Sequence, residues 1–209
     1  MITLRKLGLL SIPFNFLLAG LGMIWLLQVD NTSGTFFEKL TNHKDNWLGA
    51  HVLLLFSTVF LIPAATSIRL MVKHKIAGAI ATVLVVVIGF TAVLLAGQYA
   101  IDFVMPLLAQ VGGDALQVHP LLFQTPLVDI LFYKLPNLVF LALFLLTITL
   151  FWNKTIPMKF KIVLLANWVL VLIGNLIHPL FQRSAIILLA FSFAPLVYFF
   201  WKNNATEKS

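Results

Sequence analysis

Apolar residues run along this chain in long unbroken stretches, and polar residues are largely confined to the gaps between them. Six stretches, at about residues 7–28, 48–72, 77–105, 130–152, 162–181 and 185–201, reach the roughly 20 residues that a helix needs to cross a bilayer. The first follows Arg5 and Lys6 as a signal peptide would. Its apolar run of about 22 residues outlasts a signal-peptide core and no A-x-A site closes it, so a retained helix is expected. The third exceeds what a bilayer requires and is expected to tilt, protrude or break near Pro106. Pro13, Pro63, Pro136 and Pro195 fall inside spans, where each removes a backbone hydrogen bond and predicts a kink.

Composition excludes a soluble domain. Of 209 residues, 61% are hydrophobic and 10% charged, with mean hydropathy +1.01, whereas soluble domains are about half apolar and about a quarter charged. The expected fold is therefore all-α, a polytopic integral membrane protein whose residues 1–209 form a single transmembrane domain, a six-helix bundle. With no cysteine, the chain can form neither disulfides nor thiolate metal sites.

The net charge of +7 is distributed unevenly. Ten of the fourteen basic residues, including Arg69, Lys73, Lys75, Lys154, Lys159 and Lys161, lie on one side of the expected spans. The positive-inside rule places that side, and both termini, in the cytoplasm, and a bacterial inner membrane is the expected location. The positive charge reads as a topogenic stripe facing lipid headgroups, and nucleic acid is not an expected partner. Trp25 and Trp47 fall near the outer interface and Trp152 and Trp201 near the inner one, as interfacial anchors do.

The longer connections are on the outer side. The one following Pro106 is still apolar but is broken by Gly112, Gly113, Pro120 and Pro126, so it is expected to lie on the membrane surface or fold back over the helix ends. No fixed-period repeat is present; Pro13-Phe14-Asn15 and Pro136-Asn137 give only a faint echo between the two halves.

Ionisable groups are costly in hydrocarbon, about 2.5–3.5 kcal/mol at mid-helix, so those inside spans carry the functional information. His51, Gln98, Asp102, Lys134, Asn175, His178 and Arg183 all fall near the outer ends of their helices. Gln98 and Asp102 share a helix face, as do Asn175 and His178. Gly174, one turn before His178, would leave room beside the imidazole for a flat ligand. This constellation suggests a b-type haem with His51 and His178 as axial ligands, and Arg183 and Lys134 pairing with the propionates. Membrane electron transfer with a quinone or a partner subunit would follow.

Other readings stand beside it. His51 and His178, with Asp102 and His119, offer donors to zinc, although no two-ligand helix spacing such as H-E-x-x-H is present. Asp102 and Lys134 would join two helices as a charge pair, and the same two groups suit a small-solute or proton transporter. Gln98 and Asn175 read as interhelical hydrogen-bonding groups, and His119 and His43 as solvated. A non-catalytic subunit of a larger membrane complex is the remaining expectation. Serine-hydrolase, Walker-type and dinucleotide signatures are absent.

Overall fold

The structure, a computed structural model, describes residues 2–206, apart from the side chains at 2–5, 114, 175 and 203–206. Among the described residues nine α-helices follow in order: α1 (Ile2–Asp30), α2 (Phe36–Asn42), α3 (Lys44–Met71), α4 (Lys75–Val111), α5 (Val118–Gln124), α6 (Pro126–Asp129), α7 (Leu138–Thr149), α8 (Met158–Ile177) and α9 (Pro179–Thr206). A π-turn at Ile130–Lys134 and a 3-10 turn at Leu135–Asn137 join α6 to α7. Among the described residues there are no strands.

Among the described residues five segments are long and apolar enough to cross a membrane: Lys6–Asp30, Lys44–Met71, Lys75–Val111, Pro126–Trp152 and Pro179–Lys202. Their outward faces carry bare Val83, Val86, Val93, Phe191 and Tyr198. Apolar surface that continuous suits a lipid bilayer and would not persist in water.

Spatial neighbours follow the order α8, α9, α1, α3, α4, α7. Trp168 of α8 donates to Thr147 Oγ1 of α7 at 3.1 Å and closes that order into a ring. The ring's centre is apolar, with Phe16 stacked on Phe193 at 5.4 Å and meeting Trp168 edge-on at 5.9 Å. At one end of the bundle Arg183 pairs with Asp30 at 3.2 Å, and Trp47 donates to the Asp102 carbonyl at 2.7 Å. At the other, Asn153 donates to the Met71 carbonyl at 2.6 Å and the Lys6 ammonium lies 4.8 Å above the Trp201 ring. These are called the Asp102 end and the Lys161 end below.

Two element boundaries differ from the expected ones, each for a local reason. α4 neither breaks nor ends at Pro106 but runs 37 residues to Val111, about 55 Å at 1.5 Å per residue. It stops where Gly112 and Gly113 take φ of 68° and 55°, a left-handed backbone that favours glycine. The turn expected between the spans 162–181 and 185–201 lies instead at His178, whose extended backbone (φ −167°, ψ 139°) separates α8 from α9 without an intervening loop. Pro179 dictates this, because proline disfavours helical backbone in the residue before it and suits the first helical position.

The connections at the Asp102 end fold back over the helix ends. α2 is started by a capping box in which Thr35 and Glu38 satisfy each other's backbone N–H groups. Leu40 of α2 and Leu122 of α5 pack with Val29, Trp47 and Met105 into a second small core. Hydrophobic contact holds this cover on the helix ends.

Candidate functional site

Under that cover seven side chains form a closed circuit. His51 on α3 is 2% exposed. Its Nδ1 lies 2.8 Å from the Trp47 carbonyl, and since a carbonyl only accepts, Nδ1 carries the hydrogen. Nε2 faces Oδ2 of Asp102 on α4 at 3.8 Å, an ion-pair distance rather than a direct hydrogen bond. Tyr133 donates its hydroxyl to the other carboxylate oxygen of Asp102 at 3.2 Å. From Tyr133 the circuit continues through ring contacts to Phe123 at 4.5 Å, His119 at 5.1 Å, Phe36 at 4.0 Å and Trp47 at 5.8 Å. Trp47, stacked on His51 at 4.4 Å, completes it.

Local sequence explains each position. Trp47 and His51 are four residues apart and Tyr99 and Asp102 three, so each pair shares a helix face. Tyr99 meets the His51 ring edge-on at 6.2 Å. Tyr133 sits in the π-turn, an irregularity frequent at functional sites. Pro136 follows within three residues, where it lacks the N–H that a regular helix would use. The same wider turn aligns residues five apart, and Lys134 Nζ meets Asp129 Oδ2 at 2.5 Å.

The charge partners differ from those expected. Lys134 is 68% exposed and pairs with Asp129, not with Asp102, whose carboxylate belongs to His51 and Tyr133. Arg183 donates to Asp30 and to the Met23 carbonyl, tying the start of α9 to α1. Neither basic group is free for a propionate. Gln98 is half-buried and makes no side-chain hydrogen bond among the described residues. The side chain of Asn175 lies outside the described residues.

Among the described residues no hydrogen bond, ion pair or ring contact joins His51 to His178, directly or through a shared partner. His178 is exposed, and its Nδ1 accepts from the backbone N–H of Leu180 at 3.1 Å. Gly174 opens no slot beside it; a Cβ there would stand 2.9 Å from Gln182 Cα, so the glycine permits close approach of α8 and α9. As arranged, these residues do not fit a bis-imidazole haem, because Trp47 covers the face of His51 and Asp102 occupies its Nε2 side. No group of three His, Asp or Glu side chains suited to a metal occurs among the described residues.

His119 is not a solvated loop residue. It stacks on Phe36, and burial pushes its pKa below the usual histidine value, an effect partly offset by the negative charge of Asp102. Glu38, at the rim, is held below the usual carboxylate range by the Thr35 backbone N–H and hydroxyl. Trp47, expected as an interfacial anchor, is buried in the circuit. Tyr133, Tyr99, Phe36 and Phe123 were not among the expected site residues. Spacing alone points to Trp47 and Tyr99, whereas Tyr133, Phe36 and Phe123 reach the site only through tertiary packing.

The chain matches no family model, no curated protein and no solved structure.

Proposed function

We propose that this chain is a six-span protein of the cytoplasmic membrane, with α8 as the sixth span and both termini cytoplasmic, and that it acts as a proton-binding transporter through His51, Asp102 and Tyr133. In that orientation the Asp102 end faces outward and the ten basic residues face the cytoplasm. One observation carries the reading: Nδ1 of His51 is committed to the Trp47 carbonyl, so the Nε2 lone pair and a carboxylate oxygen face each other at 3.8 Å.

When Nε2 is protonated, imidazolium and carboxylate attract across the α3–α4 contact, in surroundings where charge interactions are stronger than in water. When the proton leaves, that attraction is lost, and Tyr133 remains the donor to Asp102. Proton occupancy thus alters how firmly the outer ends of α3 and α4 hold together, which is the element a proton-linked transporter has to bias.

The test is proton flux into liposomes containing the purified protein, read with an internal pH dye. Asp102→Asn keeps the size of the side chain and removes its charge; it is expected to abolish flux while the protein remains folded, and Lys134→Gln is expected to retain it. Unchanged flux in Asp102→Asn would refute the proposal. A Soret absorption band in protein from haem-replete cells, lost in both His51→Ala and His178→Ala, would replace it with the haem reading.

A further inference from the structure

The ring of helices closes least tightly between α7 and α8, toward the Lys161 end. A cavity of about 340 Å³ opens there, lined by Ile148, Phe151, Trp152 and Leu165. Its walls are apolar, and exposed Trp152 and Leu165 place its mouth on the outer surface of the bundle.

At the edge of this groove lies a cation that has no counter-ion among the described residues. Lys161 is 5% exposed; its ammonium donates to the carbonyl of Phe151, a groove residue, at 3.0 Å and lies 6.0 Å from the same residue's ring. An ammonium has three donors, and a carbonyl does not neutralise it. No carboxylate pairs with Lys161 among the described residues, and the sequence contains no Asp or Glu between Asp129 and Glu207. Lys154, on the connection between α7 and α8, and Lys159, in the first turn of α8, are both exposed and precede Lys161 closely in sequence. Asn153, the polar neighbour, is already committed to the Met71 carbonyl and to Thr155. A buried charge left unpaired is costly, so Lys161 favours an anion beside the apolar slot.

We propose that this groove binds an anionic phospholipid, with one acyl chain along Phe151, Trp152 and Leu165 and the phosphodiester at Lys161. Lys154, Lys159 and Lys161, with no acid between Asp129 and Glu207, favour a net-negative lipid over a zwitterionic one, whose own cation would meet theirs. The inference rests on the bilayer environment and is independent of the proton site.

Trp152 is a built-in reporter. The full-length protein is reconstituted in vesicles of phosphatidylcholine containing brominated phosphatidylglycerol or brominated phosphatidylcholine. The quenching due to Trp152 is taken as the difference from Trp152→Phe. Brominated phosphatidylglycerol is expected to bind at Trp152 about fivefold more tightly, the ratio expected from one lysine near an anionic surface. The preference should diminish in Lys161→Gln and in the exposed double variant Lys154→Gln/Lys159→Gln, and persist in Lys202→Gln. Equal quenching by the two lipids would overturn the proposal, as would an undiminished preference in both lysine variants. So would loss of the preference on adding millimolar inorganic phosphate at constant ionic strength, since the site would then hold free phosphate.

Discussion

Gly174 separates two views of the α8–α9 corner, and its replacement by alanine gives a measurable difference. A Cβ at this position would lie 2.9 Å from Cα and 3.0 Å from N of Gln182, both backbone atoms that cannot rotate aside. Overpacking of this kind costs typically about 1–3 kcal/mol. Alanine also gains helix propensity over glycine, by roughly 1 kcal/mol, which partly hides the clash. Gly89→Ala supplies the correction, because that glycine lies within α4 and a Cβ there meets nothing within 4 Å. Subtracting one variant from the other cancels the propensity term and leaves the close approach. Gly174→Ala is therefore expected to be less stable than Gly89→Ala by about 1–3 kcal/mol. Reversible unfolding of detergent-solubilised protein by increasing SDS, followed by circular dichroism, measures it. Equal stability of the two variants, or the reverse order, would refute the reasoning. It would also revive the view that Gly174 keeps space beside His178 for a ligand, since filling an empty slot leaves the unliganded protein's stability unchanged.

Further outcomes follow from the circuit around Asp102. Trp47→Phe keeps an aromatic ring on His51 and removes the N–H donated to the Asp102 carbonyl, and should cost about 0.5–1.5 kcal/mol in the same titration. Lys134→Gln alters an exposed ion pair and should change stability by no more than about 1 kcal/mol; a larger loss would mean that Lys134 has a partner besides Asp129. For His119, burial lowers the folded-state pKa, so the unfolded chain takes up its proton first as pH falls. Packing of α5 on α2 is thus fully favoured above the ordinary histidine value of about 6.5 and weakens as pH falls through the lower folded-state value. Amide hydrogen exchange in α5 should accelerate across that window and lose the pH response in His119→Phe. Glu38 behaves with the same sign at lower pH, its capping contribution fading as the carboxylate protonates.

What the sequence determines here is whatever depends on local and additive properties. Apolar runs of bilayer length mark the helices, which needs no knowledge of a distant residue, whereas the end of α4 at Gly112-Gly113 was expected earlier, near Pro106. Basic residues on alternate connections likewise support an orientation from sequence alone. The site depended on something else. His51 and Asp102 were recognisable as costly groups near one depth, but depth does not fix rotation about a helix axis. Their meeting was decided by the packing of α3 on α4 and by Trp47 reaching the Asp102 carbonyl. Lys134 stood at a suitable depth too, yet the π-turn directed it to Asp129, five residues earlier, and brought the Tyr133 hydroxyl to Asp102 instead. His178 and Gly174 fell to the turn dictated by Pro179 and to the close approach of α9. Hydrophobicity sums along the chain and is legible there; which of the few polar groups converge depends on interhelical rotation, which only the packed bundle fixes.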